Sequence, residues 1–149
     1  MPRRELRHPH QVIEWLEEWG RILKKPGSMT LIGSAALLWH VSNIGRNDSL
    51  PENSMDADSV TDDEGVAELA YEALIGSQFE AEHGWHVNLM PRSVLDFLPA
   101  GWEQRAARKA YGKLTVVVPS APDLLVPKLR RGEPRDLRQA EFVRSLGLV

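Results

Sequence analysis

Cysteine is absent from the 149 residues, which excludes a disulfide framework, a Cys-ligated zinc or iron–sulfur centre and a thiol nucleophile. No stretch approaches the roughly 18 consecutive apolar residues that a membrane-spanning helix requires. The opening MPRRELRHPH is basic but has no apolar run behind it, so it does not read as a secretory signal. A soluble, cytoplasmic protein without membrane contact is the expectation. Positive charge is not in surplus either: the formal net charge is −3, so no global field draws the molecule to nucleic acid. There is no Gly-x-Ser-x-Gly, no Walker loop, no dinucleotide fingerprint and no His-x-x-x-His pair. His8 and His10 lie in a polar terminus, and His83 and His86 flank Gly84-Trp85, a spacing that does not suit zinc.

Hydrophobic residues make up 42% and charged residues 26% of the chain, close to the globular average, so a packed core is within reach. Apolar residues at spacings of three and four predict a helix over His10–Lys25, stopped by Pro26-Gly27. Met29–Ile32 reads as a short strand running into Gly33-Ser34 and a helical Ala35–His40, followed by a polar loop over Asn43–Asn53. Alternation predicts strands at Met55–Thr61 and Trp85–Met90, and Leu-Thr-Val-Val-Val within Lys113–Pro119 is the clearest strand. Helices are expected over Glu64–Leu74, as a turn at Val94–Leu98, from Ser120 onward, and over Asp136–Leu146. Pro127 predicts a kink or a late start in the helix after Ser120, because proline removes a donor and clashes one turn back. The five tryptophans, Trp15, Trp19, Trp39, Trp85 and Trp102, are expected in the core or an interface. Strands interleaved with helices indicate an α+β protein, a small mixed sheet flanked by helices. With no repeat or low-complexity segment, one domain over residues 1–149 is expected.

Charge is segregated along the chain. Residues 48–68 hold eight acids and no Lys or Arg, whereas residues 103–138 hold nine Lys or Arg against four acids. Three segments within this pattern bear on chemistry. Leu31-Ile32-Gly33-Ser34-Ala35 is a strand running into a helix, a turn whose free backbone N–H groups suit a phosphate. Asp56-Ala57-Asp58 sets two carboxylates on one face of a strand, a few ångströms apart, where their mutual repulsion favours a hard divalent cation between them. Lys128, Arg131 and Arg135 recur at three- and four-residue spacing as a basic ridge, with Leu125 and Leu129 on one helical face. Such a ridge could neutralise a triphosphate or an RNA backbone.

Taken in order, strand–Gly-Ser–helix, Asp-x-Asp on the next strand, and a late Lys followed by Arg135-Asp136-Leu137 resemble the nucleotidyltransferase superfamily with the DNA polymerase β-like palm. The likeness is greatest to its compact bacterial branch, found in toxin–antitoxin and abortive-infection systems, and spans roughly Met29–Val149. The expected layout is an amino-terminal helix (1–27), a palm-like core (28–119) and carboxy-terminal helices (120–149). The likeness implies that Gly33 and Ser34 hold the triphosphate, and Lys128 with Arg131 or Arg135 of the basic ridge is expected to neutralise its charge. Asp56 and Asp58 would bind catalytic Mg2+ or Mn2+, and Asp56, Asp58, Lys128 and Asp136 would form the catalytic set. The partners implied are a nucleoside triphosphate, a tRNA or protein acceptor, and a cognate toxin or antitoxin. A chain of this size is also expected to work with a partner protein or as a homo-oligomer.

The sequence departs from that pattern at three points. The 21 residues between Ser34 and Asp56 make the Asn43–Asn53 loop an insertion. Glu52-Asn53-Ser54 stand where the branch usually has an Arg, Arg46 being the nearest. Asn88 stands where the third metal carboxylate is expected, which leaves His86 or Asp62 to compensate. Two alternatives to an active enzyme remain: a catalytically degenerate palm that binds a partner or a nucleotide, and an RNA-binding module that uses the basic ridge.

Overall fold

The computed structural model describes residues 5–52 and 54–149; Met1–Arg4 and Asn53, the last residue of the expected loop, lie outside the described residues. The elements are α1 (Pro9–Ile22), β1 (Gly27–Leu31), α2 (Gly33–Asn43), β2 (Asp56–Val60), α3 (Glu64–Tyr71), α4 (Gln78–His83), β3 (His86–Leu89), a 3-10 turn (Arg92–Phe97), α5 (Trp102–Arg105), β4 (Ala107–Tyr111), β5 (Leu114–Val118), α6 (Ala121–Arg131) and α7 (Pro134–Ser145). The strands form one sheet in the order β3-β2-β1-β5-β4. It is mixed: β1–β5 and β2–β3 are parallel, while β1–β2 and β4–β5 are antiparallel. An open five-stranded mixed sheet flanked by helices is the α+β arrangement that the sequence predicts.

Alternation along each strand gives the sheet two unlike faces. Met29, Leu31, Ala57, Val87, Leu114, Val116 and Val118 share one face and are buried in the core with α1 and α2. Each large aliphatic side chain buried there contributes roughly 1.5–3 kcal/mol. The opposite face carries Thr30, Thr115 and Val117, and, at the β2–β3 end, Asp56, Asp58, His86 and Asn88. Trp15, Trp19, Trp39 and Trp85 are core residues, and Trp102 is half-buried. Trp15 meets both Trp19 and Trp85 edge-on, the arrangement that indole quadrupoles favour.

Several expectations need correction. The helix after Ser120 does not start late: α6 runs over Ala121–Arg131 with Pro127 inside it. Three local features hold it: Ser120 Oγ accepts from Asp123 N, Leu124 and Leu125 are buried, and Gly132 closes it in the left-handed conformation. Leu129 does not share the burial of Leu125; it is 52% exposed. The helix expected to reach Leu74 ends at Tyr71. Three elements, α4, α5 and β4, have no counterpart in the expectation. The polar Asn43–Asn53 loop is tied down: Leu50 is fully buried and its backbone N–H bonds Arg7 O, while Leu6 and Ser54 form an isolated bridge.

Candidate active site

Two adjacent parallel strands supply four polar side chains on one face. In register, Asp56 stands opposite His86 and Asp58 opposite Asn88. Asn88 Nδ2 donates to Asp58 Oδ1 at 3.0 Å, so the residue expected as a third metal carboxylate instead holds the second one by its amide. His86 Nδ1 pairs with Glu80 Oε2 at 2.7 Å. Asp62, the other compensating candidate, is exposed and pairs with Arg92, so it does not join the cluster.

The strand-to-helix turn closes on this cluster. Ile32 N donates to the Asp58 carbonyl at 3.1 Å, which carries the chain from β1 past β2 into α2. Gly33 then has φ +65°, and a Cβ at this position would come within 2.9 Å of Asp58 Oδ2. Glycine is therefore required twice, for the left-handed backbone and for the close approach of a carboxylate. The first amides of α2, which have no intrahelical acceptor, sit beside an acid. Ser34 is 8% exposed and Gln139, on α7, is 1% exposed; Gln139 Nε2 bonds Ser34 Oγ at 3.3 Å, which ties the turn to the carboxy-terminal helix.

Lys128, on α6, completes the arrangement. Its ammonium is within electrostatic reach of Asp58 and Asp136. Burial lowers its pKa from 10.5 to about 8; the charges of Arg131 and Arg135 act in the same direction, and Asp136 and Asp58 oppose them. Asp58 moves the other way. Burial raises its pKa above the usual carboxylate value, with the neighbouring Asp56 charge adding to the rise, while the Asn88 amide and Lys128 counter it. Both groups thus sit where the charged form is costly unless an ion of opposite sign is near.

The remaining residues of the expected basic ridge are committed elsewhere. Arg131 holds Asp136 with two hydrogen bonds, Nε to Oδ2 at 2.7 Å and the terminal nitrogen to Oδ1. Asp136 is fully buried and also accepts from Glu133 N as part of the cap of α7. It is an anchor beneath Lys128 rather than a group open to a ligand. Arg135 and Arg138 both pair with Glu52, the residue standing where an Arg is usual. Three of these contacts were not foreseen: Gln139–Ser34, Glu52–Arg138 and Glu80–His86 join residues separated by a loop or a whole domain length, and no local pattern announces them.

Oxygen donors from Asp56, Asp58 and the amide of Asn88 suit a hard divalent cation that keeps much of its water. Among the described residues no group of three His, Cys, Asp or Glu could hold a metal ion. The donor set therefore fits one ion completed by water and substrate, not a cage of three carboxylates, because Asn88 stands where the third acid is expected.

A small mixed sheet with one open face, an Asp-x-Asp pair on it, and a Gly-Ser turn and a lysine converging on the second Asp define a protein of the nucleotidyltransferase-like fold class. The chain belongs to the family described as nucleotidyltransferases of unknown function (DUF6036), whose model matches residues 10–145. No match was found among curated proteins or among solved structures. Among the described residues no helix is long and apolar enough to cross a membrane.

Proposed function

We propose that the protein transfers a nucleotide from a nucleoside triphosphate to a hydroxyl of tRNA or of a protein side chain, breaking the bond between the α- and β-phosphates and releasing pyrophosphate, with Mg2+ or Mn2+ as cofactor. The observation that carries this reading is the contact of Gly33 with Asp58, which sets an acid of the Asp-x-Asp pair directly against the first turn of α2. Asp56 and Asp58, with the Asn88 amide, would hold the ion, which on binding supplies charge neutralisation at the phosphates. Gly33 and Ser34 offer backbone donors to the β- and γ-phosphates. Lys128 contributes a positive charge whose protonated form a polyanion would stabilise further, and Arg131 and Arg135 border the same helices. Asp136 and Gln139 act through others, positioning Lys128 with Arg131 and positioning Ser34. A cytoplasmic setting and a cognate partner in a toxin–antitoxin or phage-defence pair accord with this reading.

The test is incubation with each α-labelled nucleoside triphosphate, total tRNA and the protein itself. Label transferred to one acceptor, dependent on divalent cation and lost in Asp58→Asn, supports the reading. Transfer that survives Asp58→Asn overturns it.

Asn88 favours a second reading, a partner-binding or RNA-binding module of the same fold with no transfer activity, because an amide brings no charge to the ion and cannot act as a base. That reading expects triphosphate or RNA to bind without any label being transferred.

A further inference from the structure

A groove of about 570 Å3 opens among α1, α3 and α4, a size within the range of specific binding sites. It lies on the helix-covered side of the sheet, whereas Asp56 and Asp58 share the opposite face. Its floor is aromatic: Trp15, Trp19 and Trp85 are buried beneath it, and Phe79 and His83 stack against each other at 3.9 Å along one wall. Its rim is acidic on both sides, with Glu14 and Glu18 from α1 facing Glu72 and Glu82 from the other wall. No Lys or Arg lines it. Glu18 pairs with Arg21 and Glu82 accepts from Gln78, while no cation among the described residues neutralises Glu14 or Glu72. The indole N–H of Trp15 is buried without a hydrogen-bond acceptor, a state that costs free energy until an acceptor arrives.

We propose that this groove is the docking site for a basic segment of a partner protein, one apolar side chain entering over Phe79 with Lys or Arg on either side of it. Two walls of glutamate call for two separated cations, which a peptide supplies along its length. The apolar floor gives the anchor a place to be desolvated, as the centres of protein interfaces require. A nucleic acid is repelled by the same rim. A partner seated here leaves the Asp56–Asp58 face open, so docking and triphosphate binding are compatible.

The probes are a short amphipathic Leu/Lys peptide and its Ala/Lys and Leu/Glu counterparts, followed by tryptophan emission and calorimetry at physiological ionic strength, where exposed charges alone are well screened. The Leu/Lys peptide is expected to bind saturably and shift the emission. The Ala/Lys peptide should bind about tenfold more weakly, a loss of about 1.4 kcal/mol, and the Leu/Glu peptide not at all. Glu14→Gln with Glu72→Gln, both exposed positions, should weaken the Leu/Lys peptide about tenfold. Asp96→Asn with Glu103→Gln, which removes the same charge elsewhere, should change it less than about twofold. Equal weakening by the two pairs, or Ala/Lys binding as tightly as Leu/Lys, would mean general charge attraction and overturns the proposal. So does absence of saturable binding, or self-association of the protein that the Glu14/Glu72 pair abolishes.

Discussion

Lys128 and Gly33 show how single positions set the chemistry. Because burial holds the Lys128 pKa near 8, below its ordinary 10.5, the unfolded chain binds a proton that the native chain lacks between those values, and stability rises with pH across that window. The difference corresponds to roughly 3 kcal/mol at most. Lys128→Met is therefore expected to stabilise the protein by about 1–2 kcal/mol at pH 6 and by little at pH 10, while weakening triphosphate binding at least about tenfold. Thermal melting at both pH values, together with calorimetry, checks the two halves separately. Asp136 has the opposite sign. The Arg131 hydrogen bonds hold its pKa below 3.8 against the effect of burial, so its contribution is complete above that value and is lost as pH falls through the depressed one. Asp136→Asn removes the charge that the half-exposed Arg131 pairs with and should cost about 1.5–2 kcal/mol at pH 7. The variant should also lose stability less steeply than the native protein below pH 4 in an acid titration followed by circular dichroism. Asp56, Asp58, Gly33 and Lys128 were legible as a set because each is a chemically loaded residue at a strand or helix position that periodicity reveals. The partners of the arginines were not, since an ion pair such as Glu52–Arg138 is decided by packing between distant segments.

At the scale of elements, the contrast between β5 and β4 explains what the sequence discloses. Leu114, Val116 and Val118 alternate with less buried residues and announce a strand, whereas β4, Ala-Arg-Lys-Ala-Tyr, buries only Tyr111 and reads as solvent-facing polar chain. It forms a strand because β5 offers it a partner, and its charged side chains protect the sheet edge from further pairing. The short α4 is likewise tertiary in origin: six residues, capped by Ser77, are too few to announce themselves by periodicity. Pro127 misleads in the other direction, since two good caps and the buried Leu124 and Leu125 outweigh the one hydrogen bond it removes from α6. The seating of α1 on the sheet has its own signature at Gly20, whose added Cβ would overlap the Tyr111 carbonyl oxygen; Lys113 N donates to Gly20 O at 3.1 Å across the same contact. Gly20→Ala should cost at least about 2 kcal/mol by forcing α1 from the β4–β5 turn, read as a lowered midpoint in urea. Gly45→Ala, at a glycine with open space around its Cβ position, serves as the comparison and should cost less, through its backbone conformation alone.

For the molecule as a whole, the sheet acts as a divider. One face is packed under α1 and α2 and carries, beyond them, the acidic aromatic groove; the other carries Asp56 and Asp58 and presents Asp58 to the turn of α2 and to Lys128. The acidic middle and the basic carboxy-terminal third of the sequence meet at Glu52, which pairs with Arg135 and Arg138, and at Asp58, which lies within electrostatic reach of Lys128. Asp58 and Lys128 are each perturbed away from their charged states, by burial above all, and a divalent cation with a polyphosphate would supply the missing charges of both signs at once. Calorimetric titration with a nucleoside triphosphate in the presence and absence of Mg2+ measures this directly. Tight binding only when both are present, falling at least about tenfold in Asp58→Ala, is the predicted result; triphosphate affinity that ignores both the cation and that substitution would contradict it.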